Sequence, residues 1–269
     1  MNKKIGIIGC GNMGEAILSR LAKVCAKSAD LMVTEMDGAR RAEIRSRHKI
    51  IVGIDNNYLV KFSDIIIIAV KPKDINDLLK QEICCGASGD KLVISIAAGV
   101  STKRIESVIG RDVPVIRAMP NMAAVIGESM TVVSPGTSAG AKHLKMASEI
   151  FRNIGDVIVM DEKDLDAVTA ISGSGPAYFF YLMESMIEAA RALGIDNRTA
   201  ERLVYKTALG SARLVHVLKA HPAALRARVT SKGGTTEAAF KVFQTRKFKS
   251  IVKDAMKRAC SHSKKLGKK

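Results

Sequence analysis

A cluster of glycines near the start of the chain is the first place where residue types and spacing point to chemistry. Gly9-Cys10-Gly11-Asn12-Met13-Gly14 has the GxGxxG spacing, follows a short apolar run and opens a helical pattern. In that setting Gly9 permits a tight turn, Gly11 lets the backbone approach a pyrophosphate, and Gly14 allows close helix–strand packing. Asn12 and Met13 then begin a helix whose free N–H groups and dipole favour the phosphates. The pattern predicts a dinucleotide site rather than a purely structural turn. Glu35 lies about 20 residues further on, where a carboxylate accepts hydrogen bonds from a ribose 2′-hydroxyl and favours NADH. Arg40 and Arg41 follow closely and offer partners to a 2′-phosphate, which tilts the expectation toward NADPH and leaves NADH open.

Three further segments have the composition of strand-end cofactor loops: Ala69-Val70-Lys71-Pro72, Ala97-Ala98-Gly99 and Arg117-Ala118-Met119-Pro120-Asn121. Ligands of open α/β sheets bind beyond the carboxyl ends of strands, so these loops and the glycine turn support one another. Lys71 taken alone reads as solvated; its register with the glycine turn suits it to neutralising a phosphate. Much later, Ser231-Lys232-Gly233-Gly234-Thr235-Thr236 offers consecutive backbone N–H groups, two glycines and hydroxyls just ahead of a helical pattern. That composition suits a carboxylate-binding nest; the plainer alternative is a helix N-cap turn. Other chemistries lack their motifs. The histidines His48, His143, His216, His221 and His262 show no HxxxH or HExxH spacing, so no metal site is expected. No GxSxG or Walker A spacing occurs. Cys84 and Cys85 read as inert or loop-exposed thiols.

These residues need a scaffold, and the apolar pattern supplies one. Ile/Val-rich runs at residues 4–8, 31–35, 50–54, 65–70, 92–96 and 113–118 are nearly continuous rather than alternating, as expected of strands buried on both faces. Helix-compatible segments such as 13–26 and 38–48 separate several of them. Strand–helix–strand repetition implies right-handed crossovers and a Rossmann-like, doubly wound parallel sheet. Two more strand candidates, 129–134 and 157–160, flank a helix at 139–153 and close this α/β domain, placed at residues 1–163.

Residues 164–269 read as an all-helical second domain. Helix starts are expected at Ser174-Gly175-Pro176, at Asp196 or Thr199, at Thr235 and Thr236, and at Phe248, with the last helix reaching Cys260. The apolar face Tyr178, Tyr181, Leu182, Ser185 and Met186 is expected to be buried within the chain, with an oligomer interface as the alternative. No internal repeat or low-complexity linker is visible.

Composition bounds the rest. With 269 residues and 47% apolar residues the chain can build a sizeable core and is not of the disordered class. The odd count of five cysteines without CxxC argues against a disulfide framework. The apolar stretch after Lys4 is short for a secretory segment, and no run approaches the roughly 18 residues of a membrane span. A reduced, cytoplasmic protein is expected. The net charge of +17 invites a nucleic-acid or anionic-membrane reading, but its distribution argues against both. Residues 1–163 carry +5, whereas the last 24 residues carry ten basic groups against one acidic. The excess is therefore expected in a solvated, frayed C-terminal tail.

The chain resembles the pyrroline-5-carboxylate reductase family. The resemblance rests on the 9–14 glycine turn, Val70-Lys71-Pro72, Arg117-Ala118-Met119-Pro120-Asn121, Ser172-Gly173-Ser174-Gly175-Pro176-Ala177-Tyr178 and Val229-Thr230-Ser231-Lys232-Gly233-Gly234-Thr235-Thr236. It implies NAD(P)H-dependent reduction of a cyclic imine acid to proline, and an N-terminal Rossmann domain followed by a helical dimerisation domain. Dimers in this family often build larger rings, so a homodimer or a decamer of dimers is implied. Asn56 matches a cofactor-contacting position. Met119, Asn121, Ser231, Gly233, Gly234, Thr235 and Thr236 match the substrate site, with the Thr236 hydroxyl orienting or protonating the imine nitrogen. Lys232 departs from the usual Pro, Met122-Ala123 from the usual Thr-Pro, and Glu35 is atypical of NADPH-preferring members. A β-hydroxyacid dehydrogenase lacks its lysine here, and a nucleotide-sensing regulator leaves the 230–236 motif unexplained.

Overall fold

The computed structural model describes residues 3–24, 30–84, 86–110 and 112–267. Cys85 lies outside them, as do the last two residues of the basic C-terminal stretch and the end of the helix expected to reach residue 26.

The first half alternates strands and helices: β1 (Ile5–Ile8), α1 (Asn12–Val24), β2 (Leu31–Thr34), α2 (Gly38–His48), β3 (Ile51–Gly53), α3 (Asn56–Phe62) and β4 (Ile65–Ile68). There follow α4 (Ile75–Leu78), β5 (Leu92–Ser95), α5 (Thr102–Ile109), β6 (Val115–Met119), β7 (Ser129–Pro135), α6 (Ala141–Arg152) and β8 (Gly155–Val159). The strands form one sheet in the order β3-β2-β1-β4-β5-β6-β7-β8. Every neighbouring pair is parallel except β6 and β7. The exception has a local cause. A 3-10 turn over Met122–Ile126, not a crossover helix, joins β6 to β7, so the chain must reverse.

Burial explains why these segments are strands. All four isoleucines of β4 are fully buried, and they alternate between the two faces. Ile65 and Ile67 join Ile17, Leu21, Ile44 and Phe151 from α1, α2 and α6. Ile66 and Ile68 join Leu59, Leu79 and Ile105 on the opposite face. Two apolar layers thus fix the sheet from both sides and leave the strands' carboxyl ends as the edge on which a site can form.

The rest is helical: α7 (Leu165–Val168), α8 (Gly175–Ala192), α9 (Asn197–Leu218), α10 (Pro222–Arg228), α11 (Thr235–Thr245) and α12 (Phe248–Leu266). The sequence reading missed α10, whose Pro222 sits in the first helical turn rather than marking a break. The chain divides into two compact units, Met1–Ser174 with Arg258–Lys269, and Gly175–Lys257. That division differs from the expected 163/164 boundary for two reasons. Leu165 and Val168 of α7 pack on Val132 of β7, which keeps α7 with the sheet. The last turns of α12 return to the first unit as well. The expectation of a frayed basic tail is corrected here: α12 continues six residues past Cys260, and Ser263 is 2% exposed. No helix among the described residues is long and apolar enough to cross a membrane.

The helical unit has little core of its own. Ala200 and Val204 are buried, but Phe179, Phe180 and Tyr181 are more than half exposed, and Tyr178, Leu182 and Met186 are also open. Of the two readings of that face, burial within the chain is the one the fold rejects.

Candidate active site

The glycine turn lies across the ends of β1, β2 and β4. The Gly9 amide donates to the Thr34 carbonyl at 2.9 Å, and the Ala69 amide donates to the Ile8 carbonyl at 2.8 Å. Gly9 has φ +85°, a conformation that disfavours any side chain. A Cβ on Gly14 would stand 2.4 Å from the Gly9 carbonyl oxygen, so only glycine lets α1 pack this closely. A Cβ on Gly11 would meet nothing within 4 Å. Its bareness serves no packing inside the protein and leaves the backbone open to a ligand, as the GxGxxG reading requires.

Beside this turn is a cleft of about 1020 Å³. Gly9, Gly11, Glu35, Asn56, Ala69, Val70 and Lys71 line it, so seven of the predicted cofactor residues meet there. Two buried side-chain oxygens on its wall, Thr34 Oγ1 and Asn56 Oδ1, have no hydrogen-bond partner. Buried polar atoms are rarely left unsatisfied, and a hydroxyl-rich ligand at this point would serve them. The bare Gly11, the two orphaned oxygens and Lys71 together fit a dinucleotide. Thr34 was not singled out from sequence; its signal was its place as the last strand residue before Glu35.

The polar rim decides how a ribose is met. The Glu35 carboxylate accepts from the Cys10 amide at 2.9 Å and the Asp37 amide at 3.0 Å, which fixes it at the mouth of the cleft. The two arginines are less available than their spacing implied. Arg40 Nε donates to the Cys10 carbonyl at 3.2 Å, and its guanidinium pairs with Glu15 and Glu43. Arg41 Nη1 donates to the carbonyls of Glu35 and Met36 at 2.8 and 2.7 Å. Burial works to raise the Glu15 carboxyl, but hydrogen bonds from His48, Arg47 and Arg40 outweigh it and hold the group below the usual carboxylate range. Burial pushes the Cys10 thiol up to about 12, with the Glu15 charge adding to the effect, so it is no nucleophile.

Other predicted residues lie elsewhere. Asn12 and Met13 open α1, and Pro72 begins a 3-10 turn after Lys71. Ala97, Ala98 and Gly99 follow β5 and are not among the residues lining the cleft. Met119 ends β6, packed against Val132, Leu165 and Val168. Asn121 Oδ1 accepts from the Ala123 amide at 3.1 Å and caps the turn that follows β6. The Ser231–Thr236 motif belongs to the helical unit. Gly233 there has φ +75°, and Gly234 stands at the N-cap of α11 with no side chain to satisfy the first-turn amides of Thr235 and Thr236. Glu237 Oε2 accepts from the Gly233 amide at 3.0 Å and holds the loop against the helix.

With this geometry in view, the likeness to known proteins is decisive. Residues 162–266 match the family described as pyrroline-5-carboxylate reductase dimerisation. Residues 4–99 match the family described as NADP oxidoreductase, coenzyme F420-dependent. A pyrroline-5-carboxylate reductase of Synechocystis is 37% identical over 270 residues, covering all of both chains. That of Escherichia coli is 36% identical over 269 residues, again covering both completely. The chain belongs to the pyrroline-5-carboxylate reductase family. Solved members share the whole fold. A Coxiella burnetii pyrroline-5-carboxylate reductase superposes with TM-score 0.89 at 31% identity, covering 100% of each chain. A Plasmodium falciparum pyrroline carboxylate reductase with NADP bound superposes with TM-score 0.90 at 29% identity, covering 99% of this chain and 98% of that one. The protein is thus an oxidoreductase that uses NAD(P)H, and its core-poor helical part is a dimerisation domain.

Proposed function

We propose that this chain reduces 1-pyrroline-5-carboxylate to proline, the last step of proline biosynthesis, as its full-length relatives' names indicate. The observation that carries the reading is the conjunction of a nucleotide cleft with bare Gly11 and the Ser231–Thr236 loop, present together in one chain. The bound dihydronicotinamide supplies a hydride to the carbon of the C=N bond. The chain's residues hold and orient the acceptor. The uncapped first-turn amides of Thr235 and Thr236 with the Ser231 hydroxyl receive the substrate carboxylate at the start of α11, while the Gly233 and Gly234 amides, bonded to Glu237 Oε2 and the Ser231 carbonyl, shape the loop. The Thr236 hydroxyl bonds the ring nitrogen, so that the imine carbon is presented in one orientation and the nitrogen has a proton relay. Met119 and Asn121 bound the ring at the end of β6. A protonated imine needs no strong acid, so positioning and preorganised donors account for most of the acceleration.

Gly9, Gly11, Asn12, Met13 and Gly14 take the pyrophosphate, Asn56 and Glu35 the adenosine end, and the loops 69–72 and 97–99 the remainder. Glu35 favours the 2′-hydroxyl of NADH. Use of NADPH, toward which the arginine pair tilts the reading, would pair the 2′-phosphate with Arg40, which lines the cleft, or with Arg41 beside it. The exposed aromatic face of α8 closes a homodimer in the cytoplasm, and a decamer of dimers is the further assembly that sedimentation would reveal.

The test follows the absorbance of NADH and NADPH separately with pyrroline-5-carboxylate; oxidation of neither refutes the proposal. Thr236→Ala should lower kcat/KM by about 100-fold while leaving the nucleotide Kd unchanged. Unchanged turnover would remove Thr236 from the reaction.

A further inference from the structure

The end of α12 has no part in the reaction as described, yet it is built into the cofactor-binding unit by several independent contacts. The buried Ser263 hydroxyl donates to Asp166 Oδ1 at 2.7 Å. The guanidinium of Arg117, 4% exposed, reaches the same oxygen at 3.0 Å. Arg104 donates through Nη1 to the Gly267 carbonyl and through Nε to Asn76 Oδ1. Under this helix end lies Gly99, at φ +78°. A Cβ on Gly99 would sit 2.3 Å from the Ser263 carbonyl oxygen and 2.9 Å from the Gly267 amide nitrogen. A Cβ on Gly267 would sit 1.8 Å from the Gly99 carbonyl oxygen. The two backbones touch with no room for a side chain on either.

Gly99 closes the loop that follows β5, the strand next to β4. The Ile96 amide donates to the Ile68 carbonyl at 3.1 Å, which seats the start of the loop against β4, whose own loop, 69–71, lines the cleft. β4 and β5 are parallel neighbours, so both loops leave the same sheet edge, where dinucleotides lie in this architecture. The far side of the loop is anchored too. The Thr102 amide and hydroxyl both donate to Glu162 at 2.7 Å, and Ser101 caps α5.

We infer that the end of α12 is a positioning clamp for the 97–99 loop: by seating Ser263 and Gly267 on Gly99, it holds this loop where the nicotinamide half of the cofactor must pass. This rests on the dinucleotide reading of the unit and not on the identity of the imine. Nucleotide affinity then depends on the last residues of the chain, although they carry no group that reacts. A helix end that merely adds stability would lower the melting temperature and leave affinity alone.

The experiment measures the Kd of NADH and NADPH by nicotinamide fluorescence, with no imine present, for four forms of the full dimer. They are Gly267→Ala, Ser263→Ala, Ser263→Thr and a deletion of residues 263–269. The clamp predicts a Kd raised by at least about fivefold in Gly267→Ala and in the deletion, since a displaced loop loses its contacts with the ligand. It predicts a smaller rise in Ser263→Ala, reversed in Ser263→Thr, which restores the hydroxyl. The KM for the imine at saturating nucleotide should stay within about twofold, because the clamp carries none of the residues assigned to the imine. An unchanged nucleotide Kd in Gly267→Ala overturns the proposal, as does a loss of kcat and melting temperature with Kd intact. If the deletion fails to fold, the point variants decide. Failure of the imine assignment would show separately, as absence of NAD(P)H oxidation by the unaltered protein that still binds nucleotide.

Discussion

Replacing Glu35 with Gln tests the adenosine end of the cleft directly. The carboxylate is held at the cleft mouth by the Cys10 and Asp37 amides at 2.9 and 3.0 Å, so it cannot turn away without giving up two hydrogen bonds. A 2′-phosphate carries nearly two negative charges, and one pair of like charges at 4 Å costs about 1 kcal/mol in bulk water and about 4 kcal/mol at an effective dielectric of 20. The cleft is open to solvent, which places the repulsion nearer the lower figure, at about 2 kcal/mol or a factor of about 30. Gln keeps one acceptor for the amides and removes the charge. It also weakens the bond to the NADH 2′-hydroxyl by about 1 kcal/mol. The ratio of kcat/KM for NADPH to that for NADH should therefore rise by about 30-fold or more in Glu35→Gln. Initial rates with each nucleotide, read from reduced-nicotinamide absorbance at fixed imine concentration, give that ratio without knowledge of absolute activity. Salt supplies an internal check: screening should lift NADPH use in the unaltered protein and do less in the variant. A ratio that moves by less than about threefold would mean that the Glu35 carboxylate does not face the ribose.

Gly11→Val should leave the melting temperature nearly unchanged, because a Cβ there meets nothing within 4 Å, yet abolish the stabilisation that NAD(P)H gives; calorimetry with and without nucleotide checks both halves. Arg117→Met strands the carboxylates of Asp166 and Glu162, which lie 3.0 and 3.6 Å from its guanidinium, and should cost about 3–5 kcal/mol in urea unfolding; a loss below about 1 kcal/mol would show the pair to be dispensable. Glu15→Gln should be destabilising in a pH-dependent way. The folded-state pKa of Glu15 is depressed, so its contribution is complete above the unfolded value of about 4.3 and fades as pH falls through the folded value. The gap in urea midpoint between Glu15→Gln and the unaltered protein should be full at neutral pH and shrink in acid; a gap that does not change with pH would refute the ionic account.

What could be read from sequence, and what could not, follows from how far apart in the chain the interacting residues lie. The β4 run was legible because four consecutive isoleucines admit few other fates. The glycine turn was legible because its requirements are local: Gly14 must clear Gly9, five residues away. Glu35 and Arg40 both line the cleft, but the pairing of Arg40 could not be read from spacing. Its pairing depends on Glu15, 25 residues back on another helix, a partner that the local spacing does not reveal. The antiparallel β7 escaped because the same apolar pattern serves either direction, and only the connection decides. The C-terminal stretch shows the limit most clearly. Ten basic residues in 24 read as a solvated tail by any local rule. The decisive pair, Gly99 and Gly267, stands 168 positions apart in the chain, and neither glycine has a neighbour that announces the other. Gly99 was assigned to cofactor binding by its place after β5, and its bareness is required by the helix end that lies on it. A glycine in a cofactor loop is therefore not by itself a mark of ligand contact: Gly11 faces open space and Gly99 faces protein, and only the folded chain tells the two apart.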